Sequence, residues 1–211
     1  MSVLAPVRAT GPLVLADISG YTSFLQAVAL SHADDDNAKI PDAYGMMSSL
    51  LDGIIERMVP PFTLSKLEGD AVFAFAIDGD EIPTGADLLA CVEDCYAEFQ
   101  RRVAAAGDIW TCNCDACSRG TGLDLKFIVH AGSFIVQSIA GGRELVGPDV
   151  VLAHRLLKTS ASEVADGAAY LLITAPAVER FRVPTDDARP LVETYDHYAP
   201  IECWVYRLGV S

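Results

Sequence analysis

Two stretches place carboxylates where a folded chain does not leave them unaccompanied. In LVLADISGYTSFL, residues 13–25, an apolar run ends on Asp17; in SKLEGDAVFAFA, residues 65–76, Asp70 opens another apolar run. A carboxylate at the exit of a buried strand has lost part of its hydration and needs a positive partner. Two such groups a few ångströms apart raise each other's pKa unless a cation lies between them. Magnesium commonly binds through one or two carboxylates plus substrate phosphates. A pair of such ions can stabilise both the attacking and the leaving oxygen in phosphoryl transfer. Taken singly, Asp17 also reads as a helix N-cap and Asp70 as a turn residue. A second cluster lies in CNCDAC, where Cys112, Cys114 and Cys117 have a C-x-C-x2-C spacing. Three thiolates so close suit a structural Zn²⁺ with a fourth ligand from elsewhere; free thiols in a loop are the alternative. Cys91, Cys95 and His130 are candidates for that ligand, although core packing is the simpler reading for Cys91, Cys95 and Cys203.

The elements that must position these groups are bounded by composition. The chain has 211 residues, 51% of them hydrophobic, enough for one well-buried domain. No apolar segment reaches the roughly 18–20 residues that span a bilayer, and the N-terminus has no long apolar core of a secretory leader. A cytoplasmic protein without membrane contact is expected, and its six cysteines are expected as thiols or metal ligands rather than disulfides. The formal charge of −14 disfavours nucleic-acid binding through a broad basic face.

Hydrophobic periodicity predicts a strand over 12–18, a helix over 20–32 and an acidic loop in SHADDDNAKI. A helix over 42–58 is ended by Pro60-Pro61. A hairpin then turns at Glu68-Gly69-Asp70, and a helix covers 85–105. LDLKFIVHAGSFIVQSI is expected as two strands turning near Ala131-Gly132, followed by a helix over 148–160. AYLLIT and ECWVYRL read as late strands, with a short helix over 175–181. This order predicts an α+β fold, with helices packed on one face of an antiparallel-rich sheet. The core is a ferredoxin-like βαββαβ unit with extra strands and helices. One domain over 1–211 is expected, with a cysteine-rich insertion at about 108–121 and a C-terminal strand extension at about 190–208.

The blocks LVLADISGYTSFL, SKLEGDAVFAFA, LKFIVHAGSF and ELVGPDVVLAHRLLKTSA, in that order, resemble the four signature blocks of class III adenylate/guanylate cyclases. The resemblance covers residues 13 to about 175. It implies that Asp17, Asp70 and the backbone carbonyl of Ile18 hold two divalent ions, Mg²⁺ or Mn²⁺. It implies that Lys66 reads the purine with Glu144, which stands where adenylate cyclases usually have Asp or Thr. Arg155 matches the arginine that stabilises phosphate charge. A lysine at position 66 with an acceptor at 144 is an adenine pattern, so the implied reaction is ATP to cyclic AMP and pyrophosphate. Because the family divides these groups between two subunits, the resemblance implies a head-to-tail homodimer.

Two positions depart from the family. Val151 replaces an Asn that orients the attacking hydroxyl, and Pro148 alters the usual turn. Misorientation at a reacting centre costs about 10²-fold in rate, so slow turnover is expected. Val151 favours an alternative reading as an inactive nucleotide-binding signalling module, and CNCDAC favours a metal-stabilised protein-interaction domain. Tyr21 and Phe24 read as core packing, His130 as a core-edge histidine and His154 as a helix filler. His32 and His197 carry no assigned role.

Overall fold

A computed structural model describes residues 5–33, 40–109, 112, 114–140 and 142–209; the acidic run Asp34–Asp36 lies outside them. The apolar run ending at Asp17 forms β1 (Val7–Ser19), longer than expected. Residues Leu13 to Ala16 are buried on both sides, and for that reason the run is continuous rather than alternating. Gly20, at φ 86°, turns the strand directly into α1 (Tyr21–Ser31), a left-handed position that other residues reach only with strain. α2 (Asp42–Met58) has the expected bounds and buries Met46, Met47, Leu50 and Ile54. β2 (Thr63–Glu68) and β3 (Ala71–Phe75) form the expected hairpin. Its two-residue loop is Gly69-Asp70, with Gly69 at φ 68° as such a tight reversal requires. α3 (Ala86–Ile109), a short α4 (Asp115–Ser118) and a 3-10 turn (Arg119–Gly122) follow.

The chain does not turn at Ala131-Gly132. β4 (Asp124–Ile139) runs through that point as one strand, antiparallel to β1 from Asp124 to Val136, with Gly132 opposite Gly11. Gly132 serves close approach rather than reversal: a Cβ there would lie 2.4 Å from Asp149 Cγ. Asp149 uses that space to accept the Ser133 N–H at 2.6 Å. The reversal comes later, into an unanticipated β5 (Gly142–Val146). α5 (Pro148–Arg155) ends earlier than expected and α6 (Ala161–Val164) is separate. β6 (Tyr170–Thr174) and α7 (Ala175–Phe181) precede β7 (Arg189–Glu193) and β8 (Ile201–Arg207).

The strand order is β2-β3-β1-β4-β6-β8-β7, with β5 paired to β4 off this path. The first four strands are mutually antiparallel, the ferredoxin-like core, and β6 extends it by pairing parallel to β4. Helices cover both faces, which corrects the expectation of one. α1, α2, α3 and α7 pack with Val14, Ala16 and Val72, while α5 and α6 pack with Leu13, Leu15, Phe73 and Ile128. β1 and β3 are apolar on both sides, so each face needs a cover. Each large core side chain contributes about 1.5–3 kcal/mol when buried. Among the described residues, no helix is long and apolar enough to cross a membrane.

Candidate active site

Alternation along β1 puts Asp17 on the face that carries Leu13 and Leu15, at the exit of the strand. Its register partner on β3 is Ala71, so Asp70 lies one step beyond, at the tip of the hairpin. The Ile18 N–H donates to the Asp70 carbonyl at 3.3 Å, which fastens this tip to β1. Both carboxylates, Ile18 and the Ser19–Ser23 turn line one open cleft of about 400 Å³. The Asp70 carboxyl is pushed above the ordinary aspartate range, first by burial and then by the charge of Asp17.

Lys126, missed in the sequence, also lines this cleft. It faces Asp17 across β1 and β4, with Nζ 2.9 Å from Asp17 Oδ2 and 3.2 Å from the Leu157 carbonyl that accepts from it. The available signal was a lone lysine inside the apolar run LDLKFIV. One ammonium against two carboxylates leaves net negative charge, and every donor is an oxygen. That set fits a hard divalent cation. A larger cleft of about 780 Å³ opens toward the other end of β1. Two of its acids are engaged, Asp78 by Arg180 and Thr10 and Asp80 by the Ile77 N–H.

Lys66 and Glu144 meet. Lys66 stands on the edge strand β2 opposite Phe73. The β4–β5 hairpin brings Arg143 over the Phe75 ring at 5.2 Å and Glu144 to 3.1 Å from Lys66 Nζ. Glu68 lies at 3.1 Å from the same ammonium, and the two carboxylates raise its pKa, Glu144 foremost. Arg155 has different company: it donates to the Asp196 carbonyl at 3.1 Å and lies 5.4 Å from the Tyr198 ring centroid. Val151, one turn earlier on α5, is 49% exposed and offers no hydrogen-bonding group. His154 is more than a helix filler. Its Nε2 lies 2.7 Å from Glu68 Oε2, at an angle poor for a hydrogen bond, and its ring stands edge-on to Phe73.

The three loop cysteines converge, and their fourth neighbour is His32 rather than Cys91, Cys95 or His130. His32 Nε2 lies 3.6, 3.5 and 3.5 Å from the sulfurs of Cys112, Cys114 and Cys117. His32 is at least 80 positions away in sequence, and no spacing rule links it to the cysteines. His130 has the core-edge place expected of it, buried with Nδ1 2.9 Å from Thr174 Oγ1, and burial pushes its pKa down. Burial pushes the Cys95 and Cys203 thiols up to about 12, so both are inert core residues.

Residues 47–165 match a family described as protein of unknown function (DUF2652). An uncharacterized protein of Mycobacterium tuberculosis, Rv2561/Rv2562, is 30% identical over 162 residues, 72% of each chain. Among solved structures, the adenylyl cyclase CyaB from P. aeruginosa superposes with a TM-score of 0.62 at 16% identity, covering 96% of this chain and 95% of that one. The guanylate cyclase domain of RhGC from Catenaria anguillulae, in complex with GTP, gives 0.58 at 14% identity, covering 96% of this chain and 100% of that one. At such identities the likeness is one of fold. The architecture is that of cyclase catalytic domains.

Proposed function

Since the chain belongs to the DUF2652 family and carries a cyclase fold, we propose that it is a class III cyclase-like enzyme converting ATP to cyclic AMP and pyrophosphate in a homodimer. The observation that carries this reading is the convergence of Asp17 and Asp70 on one rim, with negative charge that Lys126 only partly balances. Asp17, Asp70 and the Ile18 carbonyl would hold magnesium or manganese. Ions held there would neutralise phosphate charge and favour deprotonation of the attacking hydroxyl.

The remaining work falls to the chain's own side chains. Lys66 presents donors and Glu144 an acceptor, the complement of adenine's ring nitrogen and amino group. The Arg155 guanidinium supplies a planar fork of N–H donors for phosphate oxygens. Its place over Tyr198 and against the Asp196 carbonyl fixes its direction before substrate arrives. Head-to-tail pairing of two chains would join the carboxylates of one to the base-reading and phosphate-binding groups of the other, giving two equivalent sites.

The test is incubation of purified protein with Mn²⁺ or Mg²⁺ and ATP or GTP. Cyclic AMP is expected, and Asp17→Ala should lower the rate by at least about 10²-fold without unfolding the protein. No cyclic nucleotide under any combination would sink the enzymatic reading. The exposed Val151 favours a second one, a nucleotide-binding signalling module. ATP-dependent thermal stabilisation without product selects that module, and neither response selects an interaction domain.

A further inference from the structure

We propose that Cys112, Cys114, Cys117 and His32 form a structural zinc site that ties the end of α1 to the segment between α3 and β4. The distances decide between a metal and simple hydrogen bonding. An imidazole nitrogen carries one hydrogen or one lone pair and serves one thiol well. Here three sulfurs approach the same Nε2 at 3.6, 3.5 and 3.5 Å. A tetrahedron with metal–sulfur bonds of about 2.3 Å and a metal–nitrogen bond of about 2.0–2.1 Å has nitrogen–sulfur edges of about 3.5–3.6 Å. All three edges have that length, and all four ligand atoms lie within 4.8 Å of one another.

Three thiolates and an imidazole are a zinc donor set. With all four positions supplied by protein, no place remains for water or substrate, so the site is structural. Cys114 caps α4, its sulfur accepting the Cys117 N–H at 3.4 Å, a hydrogen bond that favours a thiolate there. A helix of four residues cannot hold itself in water, so α4 needs such a tether. On the other side, His32 closes α1 with its N–H donating to the Val28 carbonyl at 3.1 Å. The first turn of α1, Tyr21–Ser23, lines the carboxylate cleft. The zinc site would therefore fix the far end of the helix whose near end forms that rim. This last consequence rests on the function proposed above, whereas the zinc site does not.

Elemental analysis of the full chain, purified under reducing conditions, is expected to give about one zinc per chain. The triple variant Cys112→Ser, Cys114→Ser, Cys117→Ser should fall below about a tenth of that. Should the triple variant fail to fold, His32→Ala and His32→Cys decide the matter. Zinc should drop in the first and return in the second, which supplies a fourth thiolate. Cobalt in place of zinc should give the intense visible bands and thiolate charge transfer of a tetrahedral site, weakened by His32→Ala. Asp17→Ala should keep its full zinc, so the result does not depend on cyclase activity. Wild-type protein without zinc, with iron in its place, or with zinc content unmoved by the His32 and cysteine variants would overturn the assignment.

Discussion

At the scale of single residues, the proposed site has one clear defect, Val151. Its methyl groups fill space on the exposed side of α5, but they cannot orient a hydroxyl by hydrogen bonding. Restoring the amide by Val151→Asn should raise turnover by up to about 10²-fold, because orientation at a reacting centre is worth that much. An unchanged or lower rate in initial-velocity measurements would refute this account of the position. The charges at the cleft point the same way. Asp70 titrates above the usual aspartate range because it is half-buried beside Asp17. A raised acid disfavours the fold when ionised, so this group's contribution to stability grows as pH falls through its titration. A cation bound at the rim would offset that repulsion.

Among the elements, α2 and α3 are joined by a buried acid. Glu98 on α3 is 7% exposed and accepts from Arg101 and Arg102, which hold its carboxyl down to about 2, well below the usual glutamate range. Arg102 continues across to the Ser49 carbonyl and Glu56 of α2. Gly53 makes room for it, since a Cβ there would lie 2.7 Å from Arg102 Nε. Because this acid is depressed, its stabilisation is present above its unfolded pKa, near 4.5, and is lost as pH falls toward 2. Arg101 stands mostly in solvent, which screens its share. Glu98→Gln should therefore cost only about 1–2 kcal/mol at neutral pH, less than the loss of a fully buried pair. Urea denaturation at stepped pH checks this, and the gap between variant and wild type should close near pH 2.

For the whole molecule, the proposed head-to-tail pairing divides each site between two chains, Asp17 coming from one and Arg155 from the other. Asp17→Ala and Arg155→Ala should each be nearly inactive alone. Random mixing would make half the dimers heterodimers, and each would carry one intact site of two. About a quarter of wild-type activity should return. Assay of co-refolded variants checks this, and activity that stays at the level of the single variants would rule out shared sites.

Local burial is written in the sequence, and what depends on local burial was legible there. Apolar runs and helical periods predicted α2, α7 and the β2–β3 hairpin, and they put Asp17 at a strand exit. The signature blocks predicted the cyclase-like α+β core that the fold comparison bears out. Other features belong to pairings between distant segments. Gly132 reads as a turn in the sequence because a glycine's local signal is the same whether it bends a strand or makes room for Asp149. Lys126 against Asp17 and His32 among the cysteines follow from strand register and from where α1 ends. Periodicity along a chain reports which side of an element is buried. Only the layering and register of the assembled sheet decide which remote groups face one another.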